Sequence, residues 1–217
     1  MQSGFDFPVM LSEKYRPQRI SDFAGLDKPK RIFANLAANP KQCALLCMAP
    51  SGTGKTTMAL ALANEMPAEL HHIASKECTL ETVRDIARQC HTMPRMYNDW
   101  SPAKMHLVLV DEADQMSPAA QLAFLSILDA TSFPPNTIFV FTCNSTANLE
   151  DRFLSRCLKV EFSSYGMAAP ISELLQRVWA AEVPNNSTFP NFQRIVKDAC
   201  NNVRDALMSL ETEIMAA

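Results

Sequence analysis

Long apolar runs are what this sequence most plainly lacks. None approaches the roughly 18 residues that a membrane-crossing helix needs, so no anchor of that kind is expected. The N-terminal residues show no charged start, apolar stretch and small-residue cleavage site, which predicts no secretory signal. Charge of one sign is missing too. Lys and Arg number 20 against 23 Asp and Glu, a formal net charge of -3, which argues against wholesale coating of nucleic acid and leaves room for a local basic stripe. The seven cysteines show no paired metal-ligand spacing, and Cys43 and Cys47, four apart, read as ordinary buried side chains. Their placement in expected strands and helices points to reduced core thiols of a cytosolic protein. Internal repeats and low-complexity segments are absent as well. The 47% hydrophobic and 20% charged fractions suit a globular chain of one large domain or two modest ones.

Glycine is scarce, with five in the chain, and two of them stand in Ala49-Pro50-Ser51-Gly52-Thr53-Gly54-Lys55-Thr56-Thr57. An apolar run, Ala44 to Met48, leads in, and an alanine-rich helical run, Met58 to Glu65, leads out. That is the strand, loop and helix context of a phosphate-binding loop. Gly52 and Gly54 can take the left-handed angles that turn successive N–H groups inward. Those groups and the helix N-terminus then meet a phosphate with partial positive charge. Lys55 is the expected ligand of the β- and γ-phosphates of ATP, and the Thr56 hydroxyl the expected ligand of Mg2+. Alanine at position 49 departs from the usual glycine, so the start of the loop is expected to be extended or lightly strained. A plain glycine turn before a core helix would not require Gly-Lys-Thr-Thr in this context.

The rest of the chain alternates. Helices are expected at Lys28–Ala38, stopped by Asn39-Pro40, at Leu80–Cys90 and at Pro118–Ala130. Strands are expected at Ala44–Met48, Leu70–Ala74, His106–Val110, Thr137–Thr142 and Lys159–Phe162. Residues 1–20, with Pro8 and Pro17, read as an extended arm. After Ser163–Pro170 only helical signals remain, at Ile171–Ala181, Phe192–Ala199 and Val203–Met215, with polar turns near Asn185-Asn186 and Asn201-Asn202. The expected fold is therefore α/β: a P-loop core with a parallel five-stranded sheet flanked by helices in residues 1–163, and a small all-helical lid in residues 164–217. So short a helical segment is more readily a lid leaning on the core than an independent fold.

Acids close the expected site. Asp111 and Glu112 follow the buried strand ending at Val110, which is read as lying next to the phosphate-loop strand. Asp111 would hold magnesium, and Glu112 could take a proton from the attacking water. A helix-capping acid cluster ahead of Ser117-Pro118 competes with this reading. Asn144 ends the next strand, where it could hold the catalytic water or the γ-phosphate; an asparagine at a strand end is also a common turn former. Arg156 precedes the last strand, a position where surface arginines are common. It could instead enter a neighbouring subunit's site and stabilise transition-state charge.

In this order and spacing the motifs resemble the AAA+ ATPases, and within them the clamp-loader branch, the small subunits of replication factor C and their phage counterparts. Glu13-Lys14-Tyr15-Arg16-Pro17 is similar to the branch's N-terminal box, which implies that Tyr15, Arg16 and Pro17 line the adenine side of the pocket. Val110-Asp111-Glu112-Ala113-Asp114-Gln115-Met116 resembles its magnesium strand, and Ser155-Arg156-Cys157 the element that supplies an arginine finger in trans. Asn202-Val203-Arg204-Asp205-Ala206-Leu207 resembles the lid helix whose arginine senses the γ-phosphate, with Asn201-Asn202 where the family prefers Gly-Asp.

The resemblance implies catalytic roles for Lys55, Glu112, Asn144, Arg156 and Arg204. It implies a nucleotide cradle of Pro50, Ser51, Gly52, Thr53, Gly54, Lys55, Thr56 and Thr57, and a metal held by Thr56 and Asp111. The implied partners are other AAA+ subunits, primer–template DNA and a sliding clamp, in the cytoplasm (the nucleoid, or a host's cytoplasm if phage-encoded). The sequence stops after the third lid helix, so without a collar the expected assembly relies on the ATPase domains or on partner proteins. The asparagine often found after the family's second strand is replaced in Ile73-Ala74-Ser75.

Lys76, Arg84, Arg88, Arg95 and Lys104 fall where the family faces DNA. Arg84 and Arg88, four apart, would share a helix face able to track phosphates; solvated surface charge explains them equally well. Three functions are consistent with the residues. One is an ATP-hydrolysing clamp-loader switch. Another is a nucleotide-binding regulatory or scaffold subunit. A third is a stand-alone AAA+ remodelling ATPase, which would turn over independently of DNA.

Overall fold

The computed structural model describes residues 9–94, 96–97, 101–184 and 189–216; the turn expected at Asn185-Asn186 and the basic residue Arg95 lie outside these. Five strands make one parallel sheet: β1 (Cys43–Met48), β2 (Ala68–Ile73), β3 (Met105–Val110), β4 (Thr137–Cys143) and β5 (Leu158–Glu161), in the order β2-β3-β4-β1-β5. A separate short antiparallel hairpin pairs Met96–Tyr97 with Ser101–Pro102.

This order corrects one expectation. The strand carrying Asp111 is not beside the phosphate-loop strand: β4 pairs with β1 on one side and β3 on the other. Interposing β4 puts Thr142 near its C-terminal end, and Asn144 just beyond it, between the two motifs.

Alternation along the strands divides the core in two. Leu45, Cys47, Leu107, Leu109, Ile138 and Val140 pack with α2 (Asp27–Ala38) and α3 (Lys55–Glu65). Ala44, Leu46, Val108, Val110, Phe139 and Phe141 pack with α4 (Leu80–Cys90), α5 (Pro118–Ile127) and the short α6 (Asp151–Leu154). Because both faces are covered, β1, β3 and β4 read as unbroken apolar runs. The helices α7 (Ala168–Glu182), α8 (Phe192–Asp198) and α9 (Val203–Ala216) join the first of these cores through Leu175, Trp179, Val196 and Leu207. The helical segment packs against the sheet domain. Among the described residues no helix is long and apolar enough to cross a membrane.

Several boundaries move for local reasons. The helix expected to run to Ala130 ends at Ile127, because the Asp129 carboxylate accepts from the Thr131 N–H (3.2 Å) and hydroxyl (2.9 Å), an alternative to continued helix. The turn at 201 is built by left-handed Cys200 and Asn201.

The arm is not extended over its described part. Leu11–Lys14 forms a helical turn, α1, and Ile20–Asp22 a turn of 3-10 helix. Partners compensate for the missing length. The Leu11 N–H donates to Glu211 of α9 at 3.3 Å, Lys14 pairs with Glu182 of α7 at 2.8 Å, and Tyr15 donates its hydroxyl to the same carboxylate. On the core side, the Ile20 N–H donates to Glu65 at 2.7 Å. The arm thus ties the C-terminal helices to α3.

Burial, and then the Glu182 hydrogen bond, push the Tyr15 phenol from 10.0 to about 12. A pKa raised on folding stabilises fully below the unfolded value and ceases to as pH rises through the folded one. Tyr15→Phe is therefore expected to cost about 1 kcal/mol at neutral pH, with the difference from the parent vanishing between pH 10 and about 12. Thermal melts followed by circular dichroism across that range check this; parallel curves would contradict it.

Candidate nucleotide-binding site

The phosphate loop leaves β1 without strain at Ala49. That residue takes no positive φ, and its N–H donates to the Cys143 carbonyl at 3.3 Å, so the start of the loop continues the β1–β4 ladder. The turn itself depends on glycine. Gly52 (φ +77°) and Gly54 (φ +91°) are left-handed, and Gly54 caps the N-terminus of α3. At Gly52 a second constraint applies, since a Cβ there would lie 2.2 Å from the side-chain oxygen of Asn202. Asn202 sits between lid and loop: its amide donates to the Ser51 carbonyl at 3.0 Å, while its oxygen accepts from the N–H groups of Arg204 (3.0 Å) and Asp205 (3.3 Å).

Lys55 is buried and folds back on its own loop. Its ammonium donates to the carbonyls of Ala49 (2.8 Å) and Pro50 (2.9 Å) and to Asn144 Oδ1 (3.0 Å). Burial lowers its pKa from the ordinary lysine value, opposed by Cys143, Asp111, Asp114 and Cys47 nearby. Next to it, Asp111 Oδ1 accepts from Thr56 (2.7 Å) and Thr142 (2.5 Å), and Thr142 Oγ1 in turn accepts from the Glu112 N–H (3.0 Å). That bond accompanies a left-handed Glu112 (φ +50°), which turns the chain sharply where β3 ends. Asp114 is buried and its Oδ1 has no hydrogen-bond partner among the described residues.

The cavity above the loop is lined by Tyr15, Arg16, Pro17, Gly52, Thr53, Gly54, Thr57 and, from the lid, Arg204. Pro50 and Asn144 line the adjoining cleft. Thr53 braces the loop, its hydroxyl donating to the Pro50 carbonyl at 3.0 Å.

Hydrogen bonds join Lys55 to Asn144 and Thr56 to Asp111, and Tyr15, Arg16, Pro17 and Arg204 share a cavity with the glycine loop, while Arg156 and the expected DNA-facing residues lie apart from it. Arg156 stands on its own surface, donating to the Arg152 carbonyl at 2.8 Å and lying 3.8 Å from Asp129. Lys76, Arg84 and Arg88 are all exposed, and Arg88 pairs with Asp85 on its own helix. Sequence reasoning missed Thr142, Asn202 and Glu182. Thr142 had a signal, as the polar residue at the strand end two before Asn144, and so did Asn202, an asparagine directly before a helix start; Glu182 is a long-range partner with none.

This geometry, a glycine loop, a buried lysine and a hydroxyl–carboxylate pair at adjoining strand ends, defines a P-loop nucleotide-binding fold. Residues 45–165 match the ATPase family associated with various cellular activities (AAA), and the chain belongs to that family. It is 31% identical over 218 residues to "Replication factor C subunit 2" of Arabidopsis thaliana, covering 96% of this chain and 62% of that protein. Against "Replication factor C subunit 4" of Oryza sativa subsp. japonica it is 28% identical over 220 residues, covering 99% and 63%. The fold is shared with the RuvB Holliday junction branch migration motor of Thermotoga maritima (TM-score 0.72, 16% identity, 91% of this chain and 64% of that one). The chain thus spans under two thirds of the length of these relatives.

Proposed function

We propose that this protein is an ATP-hydrolysing switch of the clamp-loader type, acting on DNA as one subunit of an oligomer. The observation that carries the reading is the hydrogen-bonded cluster joining Lys55 to Asn144 and Thr56 to Asp111 beneath a cavity capped by Arg204. Magnesium fits the donor set: a hydroxyl and a carboxylate 2.7 Å apart are hard oxygen ligands, and an orphaned carboxylate oxygen of Asp114 lies buried near Lys55. When bound, the ion neutralises phosphate charge.

The chain's own residues do the rest. Lys55 exchanges three acceptors of its own chain for phosphate oxygens, which frees Asn144 to orient a water. Glu112 takes that water's proton. Tyr15, Arg16 and Pro17 hold the adenine side, Pro50 to Thr57 cradle the phosphates, and Arg204 couples the lid to the γ-phosphate. Arg156 acts in a neighbouring subunit's site, in keeping with its outward position. Residues 1–163 then form the ATPase core and 164–217 the lid that closes on it. Lys76, Arg84 and Arg88 supply an exposed stripe for primer–template DNA, and a sliding clamp is the further partner that the resemblance implies.

Mixing variants tests the shared site. Lys55→Ala is expected to lose nucleotide binding and Arg156→Ala to bind nucleotide without turnover. Their mixture should regain part of the ATPase rate, because each supplies what the other lacks. The rate should rise with primed DNA. Failure of the mixture to exceed the sum of its parts would remove Arg156 from the mechanism; nucleotide binding without turnover in the parent protein would favour the regulatory subunit.

A further inference from the structure

At the opposite end of β3 from Asp111, a second cluster of chemistry-bearing side chains lies between the sheet and the end of α4. His71 on β2, His106 at the start of β3 and Cys90 at the end of α4 each present one ligand atom, and these atoms lie within 4.8 Å of one another. His106 and Cys90 are almost wholly buried, at 1% and 0% exposure, and His71 is half-buried. His106 Nδ1 and His71 Nε2 stand 3.0 Å apart. The other nitrogen of His106, Nε2, is 3.0 Å from the Thr92 carbonyl. A carbonyl can only accept, so Nε2 carries a proton, and in the neutral ring Nδ1 then presents its lone pair to the cluster. A backbone carbonyl fixing the far side of an imidazole in this way is how metal-binding histidines are commonly oriented. Glu69, opposite His106 in the strand register, brings its carboxylate to 3.6 Å from the same Nδ1 and is also a neighbour of the Cys90 thiol.

We propose that His71 Nε2, His106 Nδ1 and Cys90 Sγ form a structural site for zinc, with the Glu69 carboxylate, beside His106 but outside the group of three, turning inward as the fourth ligand. Two imidazoles, a thiolate and a carboxylate are a donor set of borderline softness suited to a tetrahedral d¹⁰ ion. With Zn–N near 2.0 Å, two nitrogens of a tetrahedral ion sit about 3.3 Å apart, a few tenths of an ångström beyond the separation found here. Binding releases the Cys90 thiol proton to solvent, and the proton on His71 Nε2 moves to Nδ1. The ion would clamp the C-terminal end of α4, the helix that carries Arg84 and Arg88, to strands β2 and β3. This site is separate from the nucleotide cavity and does not rest on the ATPase reading.

Co2+ serves as the spectroscopic probe. The chelator-stripped 217-residue chain is expected to bind one equivalent, with the visible bands of a tetrahedral ion and a near-ultraviolet thiolate-to-cobalt band, and Zn2+ should displace it and raise the melting temperature. Cys90→Ala should abolish the thiolate band, and His71→Ala, at a half-buried position, should weaken Co2+ binding at least about tenfold. No saturable Co2+ binding in the parent, or an unchanged thiolate band in Cys90→Ala, would overturn the site. Should Cys90→Ala fail to fold, unaltered affinity in His71→Ala would overturn it alone.

Discussion

Glu112→Gln is expected to bind ATP as tightly as the parent protein while its turnover falls by about 10²- to 10⁴-fold, the span of a lost general base. The amide is nearly isosteric with the carboxylate but neutral, and it cannot take the proton. Backbone geometry at this position survives the substitution, because the left-handed φ of +50° is held from outside by the Thr142 hydroxyl on the Glu112 N–H. Removing that hydroxyl separates the two contributions. Thr142→Val should slow turnover less than the loss of the base, and do so by releasing both the Glu112 backbone and the Asp111 carboxylate that Thr142 supports. Nucleotide binding by fluorescent analogue and single-turnover hydrolysis measure the two effects independently. A reduction of less than about threefold in Glu112→Gln would place the base elsewhere.

Phe141→Ala carries the largest expected loss of stability, about 3–5 kcal/mol for an aromatic ring deleted from a rigid core. Its ring is wholly buried on β4, edge-on to Phe124 of α5 at 5.0 Å and to Phe153 of α6 at 4.9 Å, and stacked on Phe139 at 6.1 Å. Such pairs add to the area term through ring quadrupoles. The three partner rings are themselves held by separate elements, so the cavity cannot readily collapse. The consequence reaches the site in two directions: Thr142 is the next residue on β4, and Phe153 anchors the turn that presents Arg156. Urea denaturation followed by circular dichroism measures the loss. A change below about 1.5 kcal/mol would show that the ring cluster repacks.

The motifs of the candidate nucleotide site were legible because each is local. Gly52, Gly54 and Lys55 are read from neighbours in the chain, and the left-handed glycines confirm the backbone that such a loop demands. Cysteine spacing, by contrast, gave no hint of a metal cluster. His71, Cys90 and His106 come from two strands and the end of a helix, and only strand pairing puts Glu69 opposite His106. The arm was misread for a similar reason, since Leu11–Lys14 has too few residues to be helical alone and is held by Glu182 and Glu211 from the lid.

By itself the sequence determined the periodic elements, the phosphate loop and the acidic strand end, since side-chain alternation, glycine's access to positive φ and the charge of Lys55 and Asp111 are properties of adjacent residues. The tertiary structure alone decided that β4 lies between β1 and β3, so that Thr142 and Asn144 bridge the two motifs. It also decided that Asn202 of the lid occupies the space a Cβ on Gly52 would need. Strand order and lid docking are set by how two hydrophobic faces are covered at once, a balance over the whole chain that no segment encodes alone.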